Sequence, residues 1–128
     1  MEIACADTAN GLLHTLKSLE KYSTFNESDL MREAFKKNVT SKPSSSHMGY
    51  GLWLIKEILN RYDGHLKVFS SNYSFTSRYG KEKILRSPKW VGTIIYLSIP
   101  VKNGINIADI LIENRRLDTI KPKINFSN

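Results

Sequence analysis

The hydrophobic pattern is clearest over residues 51–62, where it predicts an amphipathic α-helix. The apolar residues recur so that they share one face, while Lys56 and Arg61 lie on the opposite face. Gly64 is predicted to end this helix, because glycine is favoured just beyond a helix C-terminus. The apolar face consists of Leu52, Ile55, Ile58, Leu59 and Tyr62.

The N-terminal third predicts a strand, a loop and two helical stretches. Residues 2–6 are predicted to form a short, mostly buried strand, which runs into a loop over residues 7–11. A loosely helical stretch follows at residues 12–21. A second helix is predicted over residues 28–37, with Ser28 as its N-cap, because a serine hydroxyl accepts a bond from a free N–H of the first turn.

Strand patterns dominate the chain after the helix at 51–62. Residues 65–71 alternate between polar and apolar side chains, and residues 72–79 form a second strand-like run. A turn is predicted at residues 80–81, followed by a polar excursion over residues 82–90. Residues 93–99 are rich in β-branched and aromatic side chains, so they predict the best strand of the chain.

Length and composition restrict the class of protein. A chain of 128 residues is expected to form one domain. It has no apolar run near the 18 or so residues that span a bilayer, so no membrane association is expected. A single cysteine, Cys5, makes no internal disulfide, and the N-terminus does not have the pattern of a secretory signal. These features predict a cytoplasmic protein.

The charge balance favours anionic partners without choosing among them. The chain has 19 Lys and Arg against 12 Asp and Glu, which gives a net charge of +7. Nucleic acid, an anionic membrane and phosphorylated small molecules all suit such a surface. The basic residues are scattered along the sequence, so an ordinary solvated surface explains the excess equally well.

Three short sequences carry candidate chemistry. Asp7 follows a predicted strand, where its carboxylate can accept a hydrogen bond from an exocyclic amine, and Gly11 allows backbone to approach a ligand closely. Residues 49–52, Gly-Tyr-Gly-Leu, open the amphipathic helix, whose free N–H groups favour phosphate oxygens. Thr93, at the start of the last strand, is the third. Each sequence alone is also explained by an ordinary turn or helix start.

A long irregular segment precedes the second of these sequences. Residues 38–50 hold serines, threonine, lysine, glycine and proline, which form no regular element. Such a segment within a small domain is usually functional or mobile. Lys42 within it is a candidate for a phosphate contact, although a solvated lysine is the ordinary interpretation.

The order of these sequences resembles a known ATP-binding domain. Residues 3–100 are similar to the domain shared by gyrase, the heat-shock chaperone, histidine kinases and mismatch-repair ATPases, called the GHKL or Bergerat fold. The resemblance is greatest to stand-alone bacterial proteins of this kind. In them a sequence like Ala-Phe-Lys-Lys-Asn-Val-Thr-Ser-Lys-Pro, here residues 34–43, leads into the family's second glycine-rich sequence, the second glycine box, here residues 49–52. It implies an α+β fold, a two-layer sandwich with a mixed sheet covered on one face by helices.

The resemblance also implies a binding site for ATP. Asp7 and Gly11 correspond to the first glycine box, whose aspartate contacts the adenine amine, and Thr93 supports the adenine pocket. Residues 21–50 correspond to a mobile lid. The remaining residues implied to contact the nucleotide are Thr40, Ser41, Lys42, Gly49, Tyr50, Gly51 and Leu52. In this view residues 1–101 form a partial ATP-binding domain and residues 102–128 an extension or tail.

Two features depart from the family pattern. Ala9 stands where the first box has a glycine. The family's preceding helix, which supplies a glutamate for water activation and an asparagine for Mg²⁺, does not fit in the six residues before Asp7. The expectation is therefore either a fragment of a longer protein or a truncated relative. Mg²⁺ is expected for the family without its usual ligand, and the chain alone is expected not to hydrolyse ATP.

Two other functions stay open at this point. In the first, the chain keeps the fold as a degenerate interaction module without catalysis. A basic nucleic-acid-binding protein is less well supported, because the sequence shows no reading helix or stacking motif. A missing helix would leave an apolar strip of the sheet uncovered, which predicts a homodimer or a protein partner.

Overall fold

The computed structural model describes residues 1–36, 51–101 and 112. The helices and strands follow the chain in the order β1 (Glu2–Ala6), α1 (Leu12–Lys17), a 3-10 turn (Glu20–Tyr22), α2 (Glu27–Glu33), α3 (Gly51–Arg61), β2 (His65–Arg78) and β3 (Lys81–Ser98). The predicted irregular segment at 38–50 lies outside the described residues, and so does the predicted tail at 102–128, apart from Ile112.

The three strands form one antiparallel sheet in the order β1-β3-β2. The α+β class is therefore confirmed, whereas the predicted mixed sheet is wrong for the described strands. The reason is the connection between β2 and β3, a two-residue hairpin, which joins only antiparallel neighbours. Its residues, Tyr79 and Gly80, have φ values of 51° and 73°, which suit the twist of the strands they connect.

Strands β2 and β3 are longer than the sequence pattern predicts. Residues 65–78 form one strand instead of two, because a bulge between Ser70 and Tyr73 absorbs the break in the alternation. Ser71 has a φ of 53° within that bulge. The predicted excursion at 82–90 is also wrong: these residues continue β3, since their backbone groups pair with residues 71–77 of β2.

The core lies between the helices and one face of the sheet. Leu66 and Val68 alternate with exposed Lys67 on β2, so they face inward. The rings of Phe35, just after α2, and Phe75, on the distal part of β2, stack with centroids 3.8 Å apart. The fully or nearly buried apolar residues are Leu13, Leu16, Tyr22, Leu30, Met31, Ala34, Phe35, Leu59, Leu66, Val68, Phe75 and Ile99.

Strand β1 is confirmed, but it is not buried. All five of its residues are exposed. Among the described strands it pairs only with β3, and Ile3 keeps 47% of its surface accessible. The prediction of a buried strand is wrong because apolar composition does not by itself show that other residues cover a strand. A strand of the same composition at the edge of the sheet remains accessible to solvent.

The helix ends differ from the sequence predictions by small shifts. Asn26, not Ser28, caps α2: its side-chain oxygen accepts from the N–H of Asp29 at 2.8 Å. Helix α2 ends at Glu33 instead of Lys37. Helix α3 matches its prediction within one residue. At its end Asp63 takes the left-handed conformation, and the N–H of Gly64 donates to the carbonyl of Leu59.

Candidate functional site

Asp7 is fixed at the point where β1 leaves the sheet. Its N–H donates to the carbonyl of Thr93 at 3.0 Å, which extends the β1–β3 ladder by one bond. Its carboxylate oxygen Oδ1 accepts from the N–H of Thr93 at 3.2 Å and from the N–H of Ala9 at 3.1 Å. The residue is solvent-exposed. One oxygen is thus used to orient the carboxylate, and no described residue donates to the other oxygen.

Thr93 connects the sheet to the start of α1. Its Oγ1 accepts from the N–H of Leu12 at 2.9 Å, and so satisfies a free N–H of the first helical turn. The N-cap residue Gly11 has no side chain to do this. Oγ1 acts there as an acceptor, and no described residue accepts the hydroxyl proton of Thr93, so that proton can be donated to a ligand.

Two glycines allow the loop to touch the sheet. Gly92 has a φ of 112°, and a Cβ at this position would overlap the carbonyl oxygen of Asp7 and lie 2.8 Å from its Oδ1. Gly11 has a φ of 88°, and a Cβ there would lie 2.8 Å from the carbonyl oxygen of Gly92. A side chain at either position would push the loop away from β3. The sequence analysis names Gly11 as a position of close approach and does not name Gly92.

Ser70 and Trp90 also hold the loop, and the sequence analysis missed both. The buried hydroxyl of Ser70 accepts from the N–H of Leu13 and donates to the carbonyl of Gly92, each at 3.3 Å. The indole N–H of Trp90 donates to the carbonyl of Asp7 at 3.0 Å. No sequence signal identifies these partners, because they are 57 and 83 positions away from the residues they bind.

The predicted site residues therefore divide into three groups. The structure brings Asp7, Gly11 and Thr93 together at the junction of β1, α1 and β3, called here the Asp7 cluster. Gly51 and Leu52 begin α3, which packs on β2 at the other edge of the sheet. The remaining predicted site residues lie outside the described residues, namely Thr40, Ser41, Lys42, Gly49 and Tyr50.

A cleft of about 480 Å³ lies beside the loop that carries Asp7. Thr8 to Asn10 form one wall, and α1, the start of α2 and the hairpin bulge form the others. Asp7 and Thr93 do not line it. At the opposite end of the sheet a second cleft of about 450 Å³ includes His65. Burial, together with the positive charges of Arg78 and Lys67, lowers the pKa of His65 below its usual 6.5.

The described residues contain no cluster of side chains of the kind that binds a metal ion. Among them, no three His, Cys, Asp or Glu side chains are grouped so that they could hold a metal. None of the described helices is long and apolar enough to cross a membrane. Comparisons with models of protein families, with curated proteins and with solved structures found no match to this chain.

Proposed function

We propose that the chain is an ATP-binding domain and that the Asp7 cluster holds the adenine ring. The observation that carries this proposal is the arrangement of Asp7 and Thr93. Asp7 offers a carboxylate oxygen to which no described residue donates, and Thr93 offers a hydroxyl proton that no described residue accepts. The two residues lie side by side where β1 meets β3, with the backbone nitrogen of Thr93 3.2 Å from Asp7 Oδ1. Together they offer one acceptor and one donor.

Adenine presents the complementary pair. Its exocyclic amine is a donor, and the neighbouring ring nitrogen is an acceptor. The free oxygen of Asp7 would accept from the amine, and the hydroxyl of Thr93 would donate to the ring nitrogen. Both groups are held by hydrogen bonds to the backbone, so little conformational freedom is lost on binding.

The phosphates would lie toward the N-terminus of α3. This part of the proposal rests on the resemblance to GHKL domains and on Gly51, the first residue of the helix. A Cβ on Gly51 would have no neighbour within 4 Å, so the helix start is open on that side. The partial Bergerat fold and a lid at 21–50 are proposals that rest on the resemblance alone, and within that range Tyr22, Leu30 and Phe35 belong to the core. A homodimer or protein partner is a proposal that rests on the apolar strip left by the missing helix.

Thermal unfolding with and without ATP tests the proposal. A ligand at ten times its dissociation constant stabilises the folded state by about 1.4 kcal/mol, a shift of several degrees in a domain of this size. Asp7→Asn is expected to abolish the shift, because an amide replaces the free acceptor oxygen with a mixed donor and acceptor. Glu20→Gln, which removes the charge of another exposed carboxylate, is expected to retain it.

Two results of these melting experiments would contradict the proposal. If millimolar ATP leaves the melting temperature of the wild-type protein unchanged, the chain does not bind adenine nucleotide. If Asp7→Asn and Glu20→Gln lose the shift equally, the effect is one of net charge, and the Asp7 cluster does not hold the base.

A further inference from the structure

The cleft beside the Asp7 loop has features that the ATP proposal does not use. Its walls carry two ammonium groups, Lys17 from α1 and Lys89 from β3, and both residues are exposed. In the part of the chain that the structure describes, no carboxylate forms an ion pair with either of them. The imidazole of His14 lies on the same rim. The two lysines outnumber the one carboxylate that lines the cleft, Glu27, so the cleft carries a net positive charge that favours an anionic group such as a phosphate.

An aromatic ring is fixed in the same cleft. Trp90 lines it and is half-buried, and its indole N–H is already bonded to the carbonyl of Asp7 at 3.0 Å. A ring held in this way stacks on a planar ligand without a large loss of side-chain entropy. The sequence analysis found no stacking motif, because Trp90 and Lys17 are far apart in the chain.

A single oriented acceptor completes the cleft. Both carboxylate oxygens of Glu27 lie within reach of the Ser71 hydroxyl, at 3.1 and 3.0 Å. One hydroxyl proton cannot satisfy a carboxylate, which has about four acceptor positions. Glu27 therefore keeps acceptor capacity toward a ligand N–H group inside the cleft.

We propose that this cleft binds one nucleotide unit that carries an N–H donor on its base, such as a thymidine or uridine 5′-phosphate. Lys17 and Lys89 hold the phosphate, Trp90 stacks on the base and Glu27 accepts from the base N–H. The unit comes either from a free mononucleotide or from single-stranded nucleic acid. The volume of about 480 Å³ is within the range of small-molecule sites. This inference does not depend on ATP binding at the Asp7 cluster.

Fluorescence anisotropy with a labelled oligothymidylate tests the inference, with unlabelled uridine monophosphate as competitor. Oligothymidylate is expected to bind and to lose affinity steeply with salt. In Lys17→Gln/Lys89→Gln the binding weakens, and the slope of log K against log salt falls by roughly 0.7 per lysine. The control Lys67→Gln/Lys81→Gln makes the same change in net charge at two exposed positions that do not line the cleft. It is expected to bind with nearly wild-type affinity.

Two substitutions at Trp90 separate stacking from folding. Trp90→Ala is expected to weaken binding by roughly 5- to 150-fold, the effect of losing one stacked base. Trp90→Phe loses the bond to Asp7 but keeps a stacking ring, so it is expected to retain most of the affinity. In a Trp53→Phe background, where Trp90 is the sole tryptophan, the oligonucleotide is expected to quench its fluorescence.

The outcomes identify the source of the ligand or overturn the inference. Competition by uridine monophosphate at low concentration indicates a free nucleotide, whereas binding of the oligonucleotide alone indicates a nucleic acid; both support the shared chemistry. Absence of binding by both probes overturns it, and so does an equal loss in the two double-lysine variants. Asp7→Asn is expected to lose ATP binding and to retain oligothymidylate binding. A failure of the proposed function can therefore be told apart from a failure of this inference.

Discussion

The two halves of β3 differ in the strands that they pair with and in the space around the glycine that precedes each half. In the described sheet the distal half, residues 81–90, pairs with β2 alone, and Gly80 in the turn before it has open space around it. The proximal half, residues 93–98, lies between β1 and β2, and Gly92 at its start is pressed against Asp7. Both glycines have left-handed φ values, 73° and 112°. Only at Gly92 do the neighbouring atoms also exclude a side chain.

Because of this difference, the residues that stabilise the fold through the distal half are distinct from those that form the Asp7 cluster. The distal half reaches the core through Phe75, its partner on β2, and forms an ion pair between Glu82 and Lys56 of α3. The proximal half holds the Asp7 cluster through backbone atoms and short side chains. A substitution in the hairpin arm formed by residues 73–86, which excludes Lys89 and Trp90, is therefore expected to change the free energy of unfolding and leave ATP affinity unaltered. A substitution in the proximal half is expected to change both.

The largest effect is expected from Phe75→Ala. The ring is buried and stacked on Phe35, so its removal leaves a cavity and is expected to cost about 3–5 kcal/mol in the free energy of unfolding. Urea denaturation measures the loss, and the milder Phe75→Leu serves where the alanine variant does not fold. The folded variant is expected to bind ATP as the wild type does. Weaker ATP binding by folded protein would contradict the separation of the two halves.

The paired glycine substitutions probe the comparison directly. Gly92→Ala adds both left-handed strain and a steric overlap with Asp7, so a loss of about 2–4 kcal/mol is expected, together with loss of ATP binding. Gly80→Ala adds strain alone, about 1–2 kcal/mol, and is expected to leave ATP affinity unchanged. Urea denaturation and calorimetric titration of both variants measure the two effects. Equal effects on ATP binding would show that the contact between Gly92 and Asp7 has no role in the site.

Thr93→Val is expected to have a smaller effect. The substitution keeps the shape of the side chain but leaves the N–H of Leu12 without its acceptor, at a cost of about 1–3 kcal/mol. It also removes the proposed donor to adenine, so ATP affinity is expected to fall. Thr76→Val is the matched control, because Thr76 lies on β2 in the hairpin arm formed by residues 73–86. This variant is expected to retain ATP affinity. If both variants bind ATP like the wild type, the Thr93 hydroxyl does not contact the base.

The features that could be predicted from the sequence are those that a local pattern of residues determines. Helix α3 has a strong apolar periodicity, and its predicted bounds agree with the structure within one residue. Asp7, Gly11 and Thr93 each have only a weak local signal, and their order along the chain, which resembles that of GHKL domains, is what singled them out. The roles of Ser70, Trp90 and Gly92 depend on contacts between distant parts of the chain, which no local pattern encodes.

The errors have the same physical origin. The break in alternation at residues 70–73 was read as a gap between two strands, whereas a bulge absorbs it while the pairing continues. The polar residues 82–90 form a strand because the hairpin supplies partners for their backbone groups. The exposure of β1 depends on what covers the sheet edge, which is a tertiary property.

The smallest effect is a pH dependence at His65. Its pKa is lowered in the folded state by burial first and by Arg78 and Lys67 next, and among the described residues its Nε2 has no hydrogen-bond partner. Below pH 6.5 the unfolded chain binds the proton more readily, so the His65 contribution to stability falls as the pH drops. His65→Gln is expected to flatten the decrease in melting temperature between pH 7 and pH 5. An unchanged slope would contradict the shift.

The most direct test of the central claim compares ATP with inosine triphosphate, in which a carbonyl oxygen replaces the exocyclic amine. The account predicts that the wild-type chain binds ATP more tightly in calorimetric titration, because the carboxylate of Asp7 accepts from the amine and repels a carbonyl. In Asp7→Asn the side-chain amide supplies a donor, so the preference is expected to shift toward inosine triphosphate. Equal affinity of the wild-type chain for the two nucleotides would contradict the assignment of Asp7 as the residue that contacts adenine.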